Sequence, residues 1–171
     1  MTYKITNIKV SIKIKSVCLD TVQNILESSN IKNNNYGNFI VVKNKYTFII
    51  FKQGKQNNNH INITNIKSFE DISDAIKLLQ QILVDTIVEE KTLKIDNITA
   101  SIDILKPVDL ISTSKIFERF SKVSYNTEKF PGLFAKYLIG TLIVFHTGKC
   151  IVIGAKTKKD IECLVSNLAY I

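Results

Sequence analysis

Apolar and polar residues alternate in two segments that resemble each other, ITNIKVSIKIK at 5–15 and IDNITASIDIL at 95–105. Strict alternation predicts half-buried β-strands, because successive side chains of a strand point to opposite faces. Asp20 and Asp109 lie near the starts of segments with helical periodicity, where a carboxylate suits a helix N-terminus. Helices are predicted at 19–29, 69–83, 108–122 and 157–171.

The succession of strand, helix, several strands and helix occurs twice along the chain. The β-rich runs TFIIFKQGK and TLIVFHTGK occupy matching places, and their phenylalanines, Phe51 and Phe145, are 94 residues apart. Self-similarity at a fixed offset is the sequence signature of a repeated unit. The sequence therefore predicts two repeats, residues 1–88 and 89–171, linked near 87–92.

The predicted fold class is α+β, with antiparallel sheets that carry helices on one face only. Such a sheet leaves its second face uncovered. If the strands are regular, isoleucines lie on that face together with phenylalanines and a lysine: Ile49, Ile143, Ile151, Phe51, Phe145 and Lys149. An uncovered and partly apolar sheet face is typical of a binding surface.

Composition narrows the kind of partner that this surface would bind. The 171 residues are 45% hydrophobic, which is enough for a packed core, and the formal net charge is +8 with a pI near 9.3. A basic balance of this size favours nucleic acid or an anionic membrane surface. The heavy use of Lys, Asn and Ile is typical of an AT-rich genome, such as that of a large DNA virus or of a protist.

Other function classes find little support in the sequence. Cys18, Cys150 and Cys163 are widely spaced in apolar runs, which predicts free core thiols in a reducing compartment and no zinc site. No apolar run reaches the length of a membrane span, and the N-terminus has no secretory h-region. No carboxylate pair, nucleophile–base arrangement or phosphate loop stands out, so we expect neither an enzyme nor a cofactor.

Three motifs in the second half resemble a known family. EKFPGL, LIVFHTGK and IGAK, in this order before a C-terminal helix, are similar to the second repeat of the TATA-binding protein core, and the first half resembles its first repeat more faintly. The resemblance covers nearly the whole chain. It implies a saddle, in which two pseudo-symmetric repeats form one curved antiparallel sheet with helices on the convex face and DNA against the concave face.

The resemblance also implies roles for individual residues. The residues that would wedge between DNA bases are Tyr36, Phe51, Phe130 and Phe145. Those that would contact bases or the groove floor are Asn7, Lys9, Ile49, Asn62, Thr64, Asn97, Thr99, Ile143, Ile151 and Ile153. Those that would reach phosphates are Lys55, Lys67, Lys136, Lys149 and Lys156. A factor-IIB-like partner would bind near Asn126, Glu128 and Lys129.

Several of these residues depart from the family pattern. Tyr36 stands where the family has phenylalanine, and its hydroxyl makes it a poorer dry wedge. Lys9 and Asn62 each stand where the family has valine. An apolar groove face disfavours the exocyclic amine of guanine, so these two polar residues are expected to relax the preference for A·T pairs in one half.

The resemblance implies a transcription initiation factor that bends A·T-rich promoter DNA and recruits a factor-IIB-like protein and the RNA polymerase machinery. It would act in the nucleus, or in a cytoplasmic transcription factory if the source is viral. One alternative is an adaptor or decoy that keeps the fold, binds transcription proteins and has lost specific DNA binding. A second alternative is a substrate-binding module of a nucleic-acid enzyme, whose catalytic domain would be a separate subunit.

Overall fold

The computed structural model describes residues 1–15, 32–33, 39–51, 60–83 and 87–171. They form two compact units. The first unit is Asn7–Asp96, and the second unit combines Met1–Thr6 with Asn97–Ile171.

The elements of both units follow the predicted succession. The strands are β1 (Tyr3–Lys15), β2 (Lys32–Asn33), β3 (Phe39–Lys43), β4 (Tyr46–Ile50), β5 (His60–Ile66), β6 (Ile87–Asp103), β7 (Lys122–Ser124), β8 (Gly132–Tyr137), β9 (Gly140–Phe145) and β10 (Lys149–Ala155). The helices are α1 (Asp71–Ile82), α2 (Leu110–Phe117) and α3 (Lys158–Ser166), and a 3₁₀ turn, Asn167–Tyr170, follows α3. Strands β1 and β6 contribute residues to both units.

In the first unit the strand order is β2, β3, β4, β5, β1, and each strand pairs with its neighbour antiparallel. One face of this sheet forms the core of the unit. On this face Val10 of β1 pairs with Ile63 of β5, which pairs with Phe48 of β4, and all three side chains are fully buried. Helix α1 contacts β5 and contributes Ile72, Ala75 and Leu79 to the same core.

The second unit repeats this plan with the order β6, β10, β9, β8, β7. Ala100, Val152, Leu142 and Ala135 pair across four antiparallel strands and are all buried. Helix α3 contacts β9 and β10, and α2 contacts β7 and β8. Burial of such a contiguous apolar layer is the main stabilising contribution to a domain of this size.

The structure confirms the α+β class and corrects several details. The helix predicted at 108–122 ends at Phe117, where the amides of Arg119 and Phe120 donate to the carbonyls three residues before them, Ile116 and Phe117, and tighten the last turn. Residues 87–92, expected as a link, form the start of β6. Asp109 caps α2 as predicted, since its carboxylate accepts from the Ile111 amide.

The cysteine prediction is confirmed for one residue and wrong for another. Cys150 is buried, and burial raises the pKa of its thiol to about 12, as expected of an inert core residue. Cys163 is exposed, because it lies on the solvent side of α3 between the buried Ile161 and Leu164. Cys18, Asp20 and the helix predicted at 19–29 lie outside the described residues.

Candidate nucleic-acid interface

Each unit has one sheet face that no described helix covers, and we call it the open face of that unit. In the second unit the buried residues Ile98, Ala100 and Ile102 of β6 alternate with polar residues on the open face. The described open face of the second unit consists of Asn97, Thr99, Ser101, Asp103, Gly132, Phe134, Lys136, Thr141, Ile143, Phe145, Lys149, Ile151 and Ile153. The structure thus places Ile143, Ile151, Phe145 and Lys149 together on the uncovered sheet face, as predicted from the sequence.

An aromatic cluster occupies one end of this face. The Phe130 ring centroid lies 5.0 Å from that of Phe134 and 5.7 Å from that of Phe145. Gly132 pairs with Phe145, and a Cβ added at Gly132 would lie 2.7 Å from Phe130 Cε1 and 3.1 Å from Phe145 Cε1. The glycine therefore makes room for the rings. Phe130 remains 38% exposed, so an aromatic edge is available to a ligand.

Phe134 also belongs to this cluster, although the sequence motifs did not indicate it as a contact residue. It pairs with Ile143, which in turn pairs with Ile151 of β10. The alternation of β8 could have found it, because Phe134 follows Gly132 by two residues on the same face. The row Phe134, Ile143, Ile151 makes the centre of the open face apolar, and Ile143 beneath it is only 7% exposed.

The open face of the first unit has the corresponding row with different chemistry. Ile40, Ile49, Asn62 and Ser11 are aligned across β3, β4, β5 and β1. Asn62 thus takes the place that Ile151 has in the second unit. Ile40 was not predicted as a contact and corresponds to Phe134.

Further members of the first-unit face are partly described. Thr64 pairs with Thr47, and Lys9 lies on the same side of β1 as Ser11. Phe51 follows β4 and is 36% exposed. Tyr36 and Lys55, which were predicted as a wedge and a phosphate contact, lie outside the described residues.

The two asparagines predicted to contact bases have the same local structure in each unit. Asn97 Oδ1 accepts a hydrogen bond of 2.6 Å from the amide of Gly154, and Asn7 Oδ1 accepts one of 2.7 Å from the amide of Asn65. Both donors have positive φ, 83° at Gly154 and 65° at Asn65, and both lie where the strand register shifts. A β-bulge changes the direction of the backbone N–H, so that it points at the asparagine side chain instead of the neighbouring strand.

This arrangement fixes the orientation of each carboxamide. Since the oxygen is held by a backbone N–H, the Nδ2 group is the part left to donate. In the second unit Asn97 Nδ2 lies 3.2 Å from Thr99 Oγ1. Each open face therefore presents an amide donor, which suits an acceptor on a ligand.

Cationic side chains surround these faces. Lys67, Lys136, Lys149 and Lys156 are exposed, and Lys136 and Lys149 lie on β8 and β10 of the second-unit face. The Lys156 amide donates to Asp160, which fixes the backbone there while the side chain remains at the surface. Flexible ammonium groups at a rim are typical of phosphate contacts.

The first-unit face also carries an acid that the sequence did not indicate. Asp96 Oδ2 lies 3.5 Å from Lys9 Nζ, and Ser11 Oγ donates to Asp96 Oδ1 at 3.1 Å. The Lys9 and Asp96 side chains are 37% and 30% exposed. Contacts between strands this far apart in sequence cannot be read from one chain alone.

The segment predicted to bind a protein partner is an exposed turn before the aromatic cluster. Asn126 Oδ1 accepts from the Glu128 amide at 3.0 Å, and the Asn126 carbonyl accepts from the amides of Lys129 and Phe130. Asn126 thus shapes the turn that leads into Phe130. Glu128 and Lys129 are exposed at its surface.

The described part of the chain was compared with two other kinds of site, a metal centre and a membrane span. Within those residues no three His, Cys, Asp or Glu side chains are grouped as metal ligands would be. No helix in the same ranges has the length and apolar character needed to cross a membrane.

The chain is similar to proteins of one family over most of its length. The sequence profile described as "Transcription factor TFIID (or TATA-binding protein, TBP)" matches residues 92–171. The TATA-box-binding protein of Methanothermobacter thermautotrophicus is 32% identical over 167 residues, which cover 92% of this chain and 87% of that protein. That of Methanococcus aeolicus is 27% identical over 165 residues, with 92% and 86% covered. Among solved structures, Methanococcus jannaschii TBP has a TM-score of 0.78 at 26% identity and covers 98% of this chain and 96% of its own.

Proposed function

Because the chain belongs to the TATA-binding protein family, we propose that it is a transcription initiation factor that binds and bends A·T-rich promoter DNA through the minor groove. The family consists of non-enzymatic transcription factors. The observation that carries the proposal is the exposed aromatic cluster over Gly132 on an uncovered sheet face.

The aromatic cluster supplies the bending. Apolar wedges that enter the minor groove unstack a base step, and TATA-binding proteins are themselves the standard example of this mechanism. Phe130 and Phe145 would enter the step, while Phe134 supports Phe130 from the sheet side. Unstacking costs a few kcal/mol per step, which contacts along the bent groove offset. Phe51 and Tyr36 would do the same for the first unit.

The asparagines and isoleucines supply the preference for A·T pairs. An A·T pair presents only acceptors in the minor groove, and a G·C pair adds the guanine amino donor. Asn7 and Asn97 offer an Nδ2 donor to such acceptors because their oxygens are already bonded. The apolar centre formed by Ile143 and Ile151 gives no partner to a guanine amine, so burying that amine there is unfavourable.

Lysines supply the part of the affinity that does not depend on sequence. Lys67, Lys136, Lys149 and Lys156, with Lys55, would neutralise phosphates and release counterions. The exposed turn with Asn126, Glu128 and Lys129 would bind a factor-IIB-like protein, and the bent complex would recruit the RNA polymerase machinery. The site of action would be the nucleus, or a cytoplasmic replication and transcription factory if the source is viral.

The test is equilibrium binding to short labelled duplexes. We expect an A·T-rich duplex to bind more tightly than a G·C-rich one and to be displaced by netropsin, a ligand of the A·T minor groove. If the five lysines each neutralise one phosphate, affinity falls about 500-fold between 50 and 200 mM salt. A protein that binds no duplex at low salt would contradict the proposal and leave the adaptor function in its place.

A further inference from the structure

The polar residues of the first-unit open face form one connected group. Asp96 is bonded to Ser11 and paired with Lys9, and Ser11 is aligned with Asn62 in the neighbouring strand. The matching row of the second unit has Ile151 where the first has Asn62. The two open faces therefore differ in this region, where the first unit has Asn62 beside an ion pair and the second unit has Ile151.

Asp96 has acceptor capacity beyond its two contacts. A carboxylate offers about four lone-pair positions. Asp96 accepts one hydrogen bond, from Ser11 Oγ, and forms one ion pair, at 3.5 Å with Lys9 Nζ. The side chain is 30% exposed, so a further donor can reach it. Lys9 balances its charge, which lowers the cost of bringing a carboxylate close to DNA.

The minor groove contains one base donor that fits this acceptor. A·T and T·A pairs show only N3 and O2 acceptors there, whereas G·C pairs add the guanine 2-amino group. Against an A·T pair the Asp96 carboxylate would be desolvated without a new partner, which is unfavourable. Against a 2-amino group the carboxylate gains a charge-assisted hydrogen bond, and Lys9 can still donate to the neighbouring acceptors.

We propose that Asp96, held by Ser11 and Lys9, is a specificity-determining residue that accepts a hydrogen bond from a purine 2-amino group, so that the half-site under the first unit includes a G·C pair. The inference rests on the proposed function and extends it, because it limits the exclusion of guanine by the apolar isoleucine centre to the second unit.

The experiment isolates the amino group by base analogues. In an A·T-rich duplex, adenine is replaced one position at a time by 2,6-diaminopurine, which adds the 2-amino group while pairing with thymine. At the position under Asp96 we expect wild-type affinity to rise about fivefold or more, as for one good base contact. A second pair of duplexes carries guanine or inosine at that position. Inosine lacks the 2-amino group, so the inosine duplex should bind more weakly than the guanine duplex. In the other half-site the same addition should weaken binding.

A protein variant tests whether Asp96 is the acceptor. Asp96→Thr, which installs a β-branched residue suited to a strand, should abolish the gain while A·T binding is kept or improved. Asp74→Thr is the matched control, since Asp74 is an exposed acid of the same unit that lies on α1, away from the open face. It should leave the gain intact, and thermal unfolding verifies that both variants fold.

The outcomes separate the inference from the function on which it rests. Binding of the A·T-rich duplex with a loss at every diaminopurine position would overturn the inference and leave the proposed function standing. A gain that persists in Asp96→Thr would also overturn it. Failure to bind any duplex would contradict the proposed function itself. The duplex series needs the wild-type protein only, so it decides the question even if a variant does not fold.

Discussion

Replacing Asn97 by aspartate separates its role in the fold from its role towards DNA. Asn97 Oδ1 accepts from the Gly154 amide at 2.6 Å, and aspartate keeps an oxygen at that position. A hydrogen bond to a charged acceptor contributes about 1.5–3 kcal/mol against about 0.5–1.5 kcal/mol for a neutral one. The free energy of unfolding should therefore be unchanged or higher by about 1 kcal/mol.

DNA binding should respond in the opposite direction. The variant loses the Nδ2 donor, which is worth about 1–3 kcal/mol towards a base. It also brings a carboxylate against groove acceptors, and a buried charge without a partner costs about 2–5 kcal/mol. Even the lower ends of these ranges together raise Kd by about 100-fold. Asn7→Asp should behave in the same way, because Asn7 Oδ1 accepts from the Asn65 amide.

The assay is fluorescence anisotropy with an A·T-rich duplex, accompanied by thermal unfolding of each variant. Gln81→Glu is the matched control, because it converts an exposed amide of α1 into a carboxylate away from the open face. It should lower affinity by no more than about threefold, as one extra charge in water would. Wild-type affinity in Asn97→Asp would refute the assigned donor role, and loss of the fold would refute the assigned role of the oxygen.

Three further predictions concern the glycines and a helix cap. Gly132→Ala should reduce DNA bending and lower stability by about 1–3 kcal/mol, because an added Cβ would displace the exposed Phe130 ring and lie 3.1 Å from the buried Ile143 Cγ2; unchanged bending in a fluorescence-transfer assay would contradict this. Gly148→Ala should lower stability by about 2–4 kcal/mol in urea unfolding, since a Cβ would clash with the Lys106 carbonyl at a φ of 84°, and a loss below 1 kcal/mol would be inconsistent with that geometry. Hydrogen bonds from the backbone amides at the start of α3 lower the pKa of Asp160 in the folded protein. The stabilising contribution of Asp160 is therefore present above pH 3.8 and is lost as pH falls through the lower folded pKa. Asp160→Asn should flatten the dependence of the unfolding free energy on pH in this range, and an unchanged dependence would count against the cap.

Most of the architecture could be predicted from the sequence because local patterns determine it. The alternation at 5–15 and 95–105 indicated the long strands β1 and β6, and the helical periods indicated α1 and α3. The two asparagines lie at equivalent bulges, with positive φ at Asn65 and Gly154, as expected of matched positions. Local sequence preferences determine these features, so they can be predicted from a single sequence.

The remainder depends on contacts between residues that are distant in sequence. The pairing of Lys9 with Asp96 joins strands that are far apart along the chain, and no periodicity indicates such a pair. Phe134 lies beyond the Phe-Pro-Gly-Leu motif, and its contact with Phe130 depends on the path of the chain before β8, which the sequence motif does not indicate. At the end of α2 the amides of Arg119 and Phe120 donate to carbonyls three residues before them, a change of bonding pattern that helical periodicity does not predict.

The central claim is that the aromatic cluster bends DNA, and a bending assay tests it most directly. Energy transfer between dyes at the two ends of an A·T-rich duplex is measured for the wild type, for Phe130→Ala/Phe145→Ala and for Phe120→Ala, an exposed aromatic whose ring packs on Tyr137 and Tyr170 instead. We expect bending by the wild type and by Phe120→Ala, and loss of bending in the double variant at a protein concentration that still binds. Full bending by the double variant, or binding by the wild type without bending, would contradict the account.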